Sequence, residues 1–415
     1  MNTHPLRALA IAVIALASLS LNAQINNRLE SVQLIQQGDM HLRMGNSEQA
    51  LLAYTNAIQM DMGFADAYMK RAALLSRLGQ TTQALVDMDR ALELNPYSEY
   101  IFDRRAKVKI LANDSKGAEE DLKRAVSMKP YDDLLRESRV DAYLEMGLTD
   151  KALLDLDTLL ERNPFDPLLH LKVATVHLQR DDPMAAIAAL DSAEALAPRL
   201  ALLHDLRGVA LLRLQRWSEA VTAFDRAIVL DPNLDLAWYN RSLAHARMGN
   251  TQAARSDMDR ALELVHSRPH IFFQRALVRK RDGDLAGARS DYDRALELAP
   301  DYLEAQFNRS FVRNLLGDHA GAMADAQEAL QKAPLDPDAW VLKGNMHLLF
   351  GEFPLAIECF DRAISLDANS ANAFYSRGLA YHMRYQPLRG CDDLRQSATL
   401  GLERATDAMK YFCAF

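Results

Sequence analysis

Long basic runs, strand-like alternation and apolar segments of membrane-spanning length beyond residue 21 are all missing from this sequence. No basic cluster exceeds three residues and the formal net charge is −8, which argues against a nucleic-acid protein that contacts phosphates through a basic surface. A membrane span needs about 20 apolar residues. With 49% apolar and 25% charged residues, the composition is that of a globular protein, which excludes disorder and collagen-like repeats.

Catalytic signatures are missing as well. The sequence has no HExxH metal-binding motif, no Walker loop, no GxGxxG and no GxSxG. We therefore expect no catalytic residues, no cofactor and no enzyme activity.

The N-terminus has the three parts of a secretory signal peptide. Arg7 is followed by an uncharged stretch from Ala8 to Leu21, and Ala23 supplies the small residue before the cleavage site. No Cys lies nearby, so a lipoprotein anchor is not expected. We predict cleavage after Ala23, export to the periplasm or the medium, and no integral membrane span in the mature chain. The alternative is an uncleaved N-terminal anchor.

Proline recurs at intervals of 34 residues, and the same period governs other residue types. With Ser31 as position 1, residues 31–404 divide into eleven repeats without an insertion. Position 20 is Ala in ten repeats, position 27 is Ala in nine, and position 15 is Gly in seven. The prolines at position 32 include Pro96, Pro130, Pro164, Pro198 and Pro232.

Each recurring residue type has a mechanical interpretation. Gly at position 15 favours the left-handed cap that ends a first helix, and Pro at position 32 stops a second. Ala at positions 20 and 27 lets the two helices approach closely. Helices this short are marginal alone, so hairpins must stack to bury their apolar faces. We predict an all-α solenoid of antiparallel helix pairs, with signal peptide 1–23, a lead-in 24–30, repeats 31–404, and residues 405–415 as the end of a C-terminal capping helix.

The repeat resembles the tetratricopeptide repeat over residues 31–404. That resemblance implies a right-handed superhelix with a concave groove that binds proteins or peptides, and it implies no catalysis. The residues that match the family pattern in repeat 6 are Gly208, Ala220, Phe224, Ala227 and Pro232, and Trp238 and Trp340 occupy its aromatic position 4.

Arginine at position 7 departs from the family pattern, in which this position is apolar. Every repeat with Asp at position 23 also has Arg at position 7, and both positions lie eight residues from the turn. Repeat 5 has neither, with Val173 and Ala189 in their place. We predict seven partly buried ion pairs inside the hairpins; the alternative is an arginine ladder that binds an anionic polymer.

Histidine and cysteine are the candidate metal ligands. His41, His177, His245 and His347 share position 11 but fall in repeats too far apart to bind one ion, so no metal site is expected. Folding back at Gly401 brings Cys391 near Cys413, for which a disulfide and reduced thiols are the two alternatives.

One face of the first helix of each repeat is predicted to line the groove, through positions 2, 5, 9 and 12. In repeats 2–4 this face is mainly acidic, and from repeat 7 it becomes apolar. An open apolar face would anchor a partner, whereas packing between repeats would bury the same side chains. The predicted partner-binding residues are Tyr239, Phe273, Phe307, Phe311, Val341 and Tyr375.

The family's clamp for peptide C-termini is not reproduced in this groove. Asn240 and Asn308 match its middle residue, but the residues that flank them do not match.

These observations predict a non-catalytic scaffold or adaptor that binds a peptide or protein segment in the bacterial envelope. The alternative is a glycan-binding component of a polymer export or secretion assembly. The sequence does not specify the partner or the oligomeric state.

Overall fold

The computed structural model describes the backbone of residues 4–413 and the side chains of residues 24–413. Within this range the chain consists of helices and turns, with no strand. Its contacts divide it into two compact units, Met1–Pro198 and Arg199–Phe415. The predicted signal peptide, residues 1–23, lies outside the described side chains, and residues 414 and 415 of the predicted cap lie outside the described range.

The helices follow one another as antiparallel pairs. In the first unit they are α1 His4–Arg43, α2 Ser47–Met60, α3 Ala65–Arg77, α4 Thr81–Leu94, α5 Glu99–Leu111, α6 Ser115–Met128, α7 Asp133–Glu145, α8 Thr149–Arg162, α9 Pro167–Gln179 and α10 Pro183–Leu196. In the second unit they are α11 Ala201–Arg213, α12 Trp217–Leu230, α13 Asp235–Arg247, α14 Thr251–Leu264, α15 Pro269–Arg281, α16 Leu285–Leu298, α17 Leu303–Leu315, α18 His319–Lys332, α19 Pro337–Leu349, α20 Phe353–Leu366, α21 Ala371–Met383, α22 Pro387–Thr399 and α23 Glu403–Phe412.

The turn inside each hairpin is made by the residue at position 15. All eleven residues at this position have a positive φ, between 57° and 82°. The backbone N–H of the next residue then donates to the carbonyl five residues earlier, as from Gln80 to Leu75, which closes the first helix. Gly is preferred because a left-handed backbone costs it nothing, so the predicted role of Gly79 and its counterparts is confirmed. The non-glycine residues at position 15 are Asn113, Asp181, Gln215 and Tyr385.

Small side chains allow the two helices of a hairpin to pack closely. Every alanine at position 20 is fully buried. At position 8, three repeats use Gly against an aromatic ring from the second helix. A Cβ atom on Gly208 would lie 2.4 Å from the ring of Phe224, so this contact requires glycine.

The predicted fold class is confirmed. Odd-numbered helices pack against the even-numbered helix that follows, and first helices of successive repeats also meet, as α3 with α5 and α11 with α13. Helix α23 packs on α22 at the end of the second unit. Among the residues searched, no helix has both the length and the apolar character required to cross a membrane.

Candidate functional site

The arginines at position 7 are engaged inside the hairpins. In seven repeats the Nε and Nη2 atoms of this Arg donate to the two carboxylate oxygens of the Asp at position 23, at 2.6–3.0 Å. The hydrogen bonds to Asp87 raise the pKa of Arg71. These bonds confirm the predicted pairing. We call the set the ion-pair seam: Arg71–Asp87, Arg105–Asp121, Arg139–Asp155, Arg241–Asp257, Arg275–Asp291, Arg309–Asp325 and Arg377–Asp393.

The seam also joins neighbouring hairpins, which the repeat pattern alone did not predict. The remaining Nη1 atom of Arg275 donates to Asp259, at position 25 of the preceding repeat, at 2.6 Å. A guanidinium held by two carboxylates has few donors left for an anionic ligand. The alternative of a ligand-binding ladder is therefore not favoured for these residues. The other four such contacts are Arg105–Asp89, Arg241–Asp225, Arg309–Asp293 and Arg377–Asp361.

The two asparagines that resemble a clamp residue have partners within the protein. The Nδ2 atom of Asn240 donates to Oδ1 of Asp205 at 3.1 Å, and Oδ1 of Asn308 accepts from Lys280 at 2.7 Å. Asp205 is only 3% exposed, and its burial raises its pKa to about 6. The clamp is therefore replaced here by contacts between repeats.

Two of the predicted partner-binding residues are covered by neighbouring helices. Phe273 is 6% exposed and packs against the rings of Tyr292 and Tyr302, with centroids 5.9 and 5.0 Å away. Val341 is 7% exposed. For these two positions the structure favours packing within the protein over contact with a partner.

The other four predicted residues remain accessible to different degrees. Tyr239 is half-buried against the ring of His270 at 5.2 Å, and burial raises its pKa to about 12. Phe307 is half-buried, and Phe311 is 44% exposed with the Lys280 amine 5.6 Å from its ring. The guanidinium of Arg404 lies over the ring of Tyr375 at 4.6 Å. Contact of these residues with a partner stays a prediction.

An open pocket of about 500 Å³ lies on the same face, within the second unit. Its floor is apolar and includes Leu243 and Leu277, which occupy position 9 of repeats 7 and 8. Leu212, Ala246, Val278 and the ring of Trp217 complete the apolar lining. An apolar pocket with a few polar groups at its edge is the usual form of a binding site in proteins. We call it the α11–α15 pocket.

The polar edge of this pocket consists mainly of arginine. Arg213, Arg247 and Arg281 occupy position 13 of three successive repeats, and we call them the rim arginines. Gln274 is the other polar lining residue, and no carboxylate lines the pocket. The pocket therefore combines an apolar floor with a positively charged edge, although the chain as a whole is acidic.

A second open pocket, in the first unit, has compensated charges. It measures about 610 Å³ and is lined by Ile35, Met69 and Phe64 together with charged residues of both signs. Lys70 is paired with Asp39 at 2.8 Å. This pocket therefore lacks the unbalanced positive charge of the α11–α15 pocket.

The C-terminal helix is fixed by a disulfide. Cys391 and Cys413 are joined, with their Cα atoms 5.7 Å apart, and the imidazole Nε2 of His382 lies 3.6 Å from the sulfur of Cys391. His382, Cys391 and Cys413 form the one cluster of potential metal ligands among the residues searched, and the bond between its two sulfurs occupies them. Cys359 is a free, buried thiol.

The sequence predicted the apolar floor of the α11–α15 pocket but not its arginine rim. Helical periodicity placed Leu243 and Leu277 on the groove face through position 9, but position 13 was missed. That position lies within about 40° of position 9 around a helix at 100° per residue. The 34-residue spacing of Arg213, Arg247 and Arg281 is the signal that could have identified the rim.

Comparison with protein-family models identifies the repeat. The model described as tetratricopeptide repeat matches residues 35–99, 138–201, 206–269 and 273–337, which together exceed half of the chain. A second TPR repeat model matches residues 344–383. The chain belongs to the tetratricopeptide repeat family, whose members are protein-interaction scaffolds and are generally not enzymes. No curated protein matches its sequence.

Solved structures share this fold at low sequence identity. A tetratricopeptide repeat protein from Parabacteroides merdae ATCC 43184 is 16% identical, with a TM-score of 0.51, over 59% of this chain and 97% of that one. Yeast Tom70 is 17% identical, with a TM-score of 0.47, over 92% and 95% of the two chains. The APC/C hetero-tetramer Cut9–Hcn1 contains a chain that is 15% identical, with a TM-score of 0.46, over 95% and 98%. The first likeness concerns the fold alone.

Proposed function

We propose that this protein is a non-catalytic scaffold that binds an extended peptide or protein segment on the first-helix face of repeats 6–8. The proposal rests on the α11–α15 pocket. Its apolar floor is open on a face that the stacking of hairpins does not cover, and exposed apolar surface of this kind marks interaction sites. Peptide segments bind such grooves with apolar side chains in pockets and polar groups at the edge.

The location that we propose is the bacterial envelope. The support is the pattern of residues 1–23, with one charge, an uncharged stretch and a small residue before the cleavage site. Fractionation of cells that express the tagged chain, followed by mass analysis of its N-terminus, tests this location. A chain that begins at Gln24 in the periplasmic fraction or the medium agrees with it, and an intact N-terminus in the cytoplasm contradicts it.

The binding proposal is tested by cross-linking capture from envelope extract with the purified chain. We expect the double substitution Leu243→Ser/Leu277→Ser to abolish capture of a protein band that the wild type retains. The matched control is Leu315→Ser/Leu349→Ser, since these leucines are about half exposed in the same unit and lie outside the pocket. A band lost equally from both variants, or from neither, would contradict the assigned site.

Two additions to this experiment separate folding from binding. Far-UV circular dichroism of each variant shows whether the helices persist. A photo-cross-linking amino acid in place of Gln274, which lines the pocket, should attach to the partner without removing a leucine.

The single variant Phe311→Ser tests the predicted aromatic anchor. Retention of glycan and no protein by the wild type would favour the glycan-binding alternative.

A further inference from the structure

The rim of the α11–α15 pocket provides hydrogen-bond donors almost exclusively. Three guanidinium groups lie around the leucine floor, and among the polar lining residues only the amide of Gln274 adds an acceptor. A guanidinium can donate two parallel hydrogen bonds to a carboxylate. The chemistry of the rim therefore matches an anionic group on the ligand.

Two of the rim arginines are available for such contacts. Arg247 is exposed and has no hydrogen bond or ion pair with the described residues, and Arg281 donates only to the backbone carbonyl of Ala246, at 3.2 Å. The same helices carry Arg241 and Arg275, each of which is held by two carboxylates of the ion-pair seam. Arg213, the third rim arginine, has a partner of its own within the protein.

The spacing of the rim indicates how a ligand would lie. Helices α13 and α15 are in direct contact, through the rings of Tyr239 and His270 and through Arg281 and Ala246. Packed helices lie about 8–10 Å apart. In a peptide with polyproline II geometry, which has about three residues per turn and a rise of about 3.1 Å, residues three apart point the same way about 9 Å from each other. Acidic residues three apart in such an extended segment would therefore meet Arg247 and Arg281 in turn.

We propose that the α11–α15 pocket binds an internal acidic peptide segment, in which an aliphatic side chain contacts Leu243 and Leu277 and two flanking carboxylates accept hydrogen bonds from Arg247 and Arg281. This inference rests on the proposed function and specifies its ligand. Because the recognised carboxylates belong to side chains, the segment needs no free C-terminus.

The test uses the full chain and a fluorescein-labelled peptide, Gly-Asp-Leu-Ala-Asp-Leu-Gly, with both ends blocked. Its isostere has Asn in place of both Asp residues. We expect fluorescence anisotropy to show at least about tenfold tighter binding of the Asp peptide, because charge-assisted hydrogen bonds are about twice as strong as neutral ones. The double substitution Arg247→Gln/Arg281→Gln should reduce binding of the Asp peptide to that of the Asn peptide, and added salt should weaken only the Asp peptide.

The matched control is Arg77→Gln. Arg77 occupies the same position 13 in repeat 2 and is exposed, but it lines neither of the two pockets, so binding should not change. Equal affinity for the two peptides, an unaltered affinity in Arg247→Gln/Arg281→Gln, or an equal loss in Arg77→Gln would overturn the proposal. Binding of anionic vesicles in place of either peptide would overturn it too.

The leucine variant distinguishes this proposal from the function on which it rests. If Leu243→Ser/Leu277→Ser abolishes capture of the partner while the arginine variants bind as well as the wild type, the scaffold site stands and the acidic ligand is wrong. If the Asp peptide binds the leucine variant normally but not the arginine variant, acid recognition stands and the apolar anchor is wrong.

Discussion

Hairpins α3–α4 and α9–α10 share one backbone plan but fill the space between their helices differently. In α3–α4, Arg71 donates to both oxygens of Asp87, whereas α9–α10 has Val173 and Ala189 at the same positions. No repeat has Asp at position 23 without Arg at position 7. Repeat 6 keeps Arg207 opposite Ala223, so the Arg occurs without the Asp, but the Asp never occurs without the Arg. The reason is that a lone buried carboxylate loses its water without gaining a cation.

Breaking the pair in α3–α4 should have the largest effect. Arg71→Val leaves Asp87, which is 4% exposed, without its cation, and removal of one member of a buried pair costs about 3–5 kcal/mol in free energy of unfolding. Arg71→Val/Asp87→Ala reproduces α9–α10 and should recover most of that loss. Urea unfolding followed by circular dichroism measures the stability of the single and the double variant. A double variant less stable than the single one would contradict the idea that Asp87 is tolerated only with its cation.

The same experiment in α15–α16 shows the effect of a second cation. Arg279 also contacts Asp291, at 2.8 Å. Arg275→Val should therefore destabilise the protein less than Arg71→Val does. If Arg275→Val and Arg71→Val lose the same free energy of unfolding, Arg279 does not neutralise the Asp291 carboxylate.

Hairpin α21–α22 is the last hairpin that the structure describes, and the single helix α23 packs on it. The disulfide between Cys391 and Cys413 fixes this helix across a sequence separation of 22 residues. A disulfide that closes a loop of that length contributes about 3 kcal/mol to the free energy of unfolding. Cys391→Ser/Cys413→Ser should therefore release α23, with faster amide hydrogen exchange confined to residues 403–412. Cys359→Ala, which removes the free thiol, should leave that exchange unchanged.

Asp205 is as buried as Asp87, but its partner is the amide of Asn240, whereas Asp87 is paired with the cation of Arg71. Its burial raises its pKa to about 6, above the unfolded value of about 3.9. Between these values the folded state binds more protons than the unfolded state, so stability falls as pH rises through about 4 to 6 and stays lower above that range.

Asp205→Asn removes this titration while keeping a group that can bond Asn240. The variant should exceed the wild type by about 2 kcal/mol in free energy of unfolding at pH 7 and show no advantage near pH 4. Urea midpoints at the two pH values measure the difference. Asp66→Asn, on an exposed carboxyl, is the control, and an advantage of Asp205→Asn that is the same at both values would contradict the assignment.

The parts of the fold that the sequence could predict are those repeated in every hairpin. The turn at position 15 and the pairing of positions 7 and 23 depend only on distances along the chain within one repeat. Gly79 lies eight residues after Arg71 and eight before Asp87, so an antiparallel hairpin must bring their side chains together. The unbroken period of 34 defines that register from the sequence alone.

The groove face could not be predicted in the same way, because it depends on side chains at positions that do not recur from repeat to repeat. Phe273 is covered by Tyr302, which follows it by 29 residues and occupies the variable last position of the same repeat. Leu277, four residues further along the same helix, stays open in the pocket. Helical periodicity places both on one face, but the size of the neighbouring side chains decides which of them a partner can reach.

The smallest effect is expected at position 4, where repeats 7, 9 and 10 differ. The indole N–H groups of Trp238 and Trp340 each donate to a proline carbonyl at 3.0 Å. Gln306 occupies this position in repeat 9 with 1% exposure, and neither atom of its amide has a hydrogen-bond partner. The equivalent carbonyl, of Pro300, accepts instead from Lys332 at 2.7 Å.

Replacing Gln306 with Phe, the residue at position 4 of repeats 8 and 11, should therefore stabilise the protein. The substitution removes two buried polar atoms without partners, and each such group costs about 1–3 kcal/mol, while the larger ring must fit beside Arg309. We expect a net gain of about 1 kcal/mol, measured as a higher urea midpoint than in the wild type. Gln306→Glu, which has nearly the same shape, should be less stable than the wild type at pH 7, because a buried charge is costlier than a buried amide. A Phe variant no more stable than the wild type would mean that the Gln306 amide is not a source of instability in this repeat.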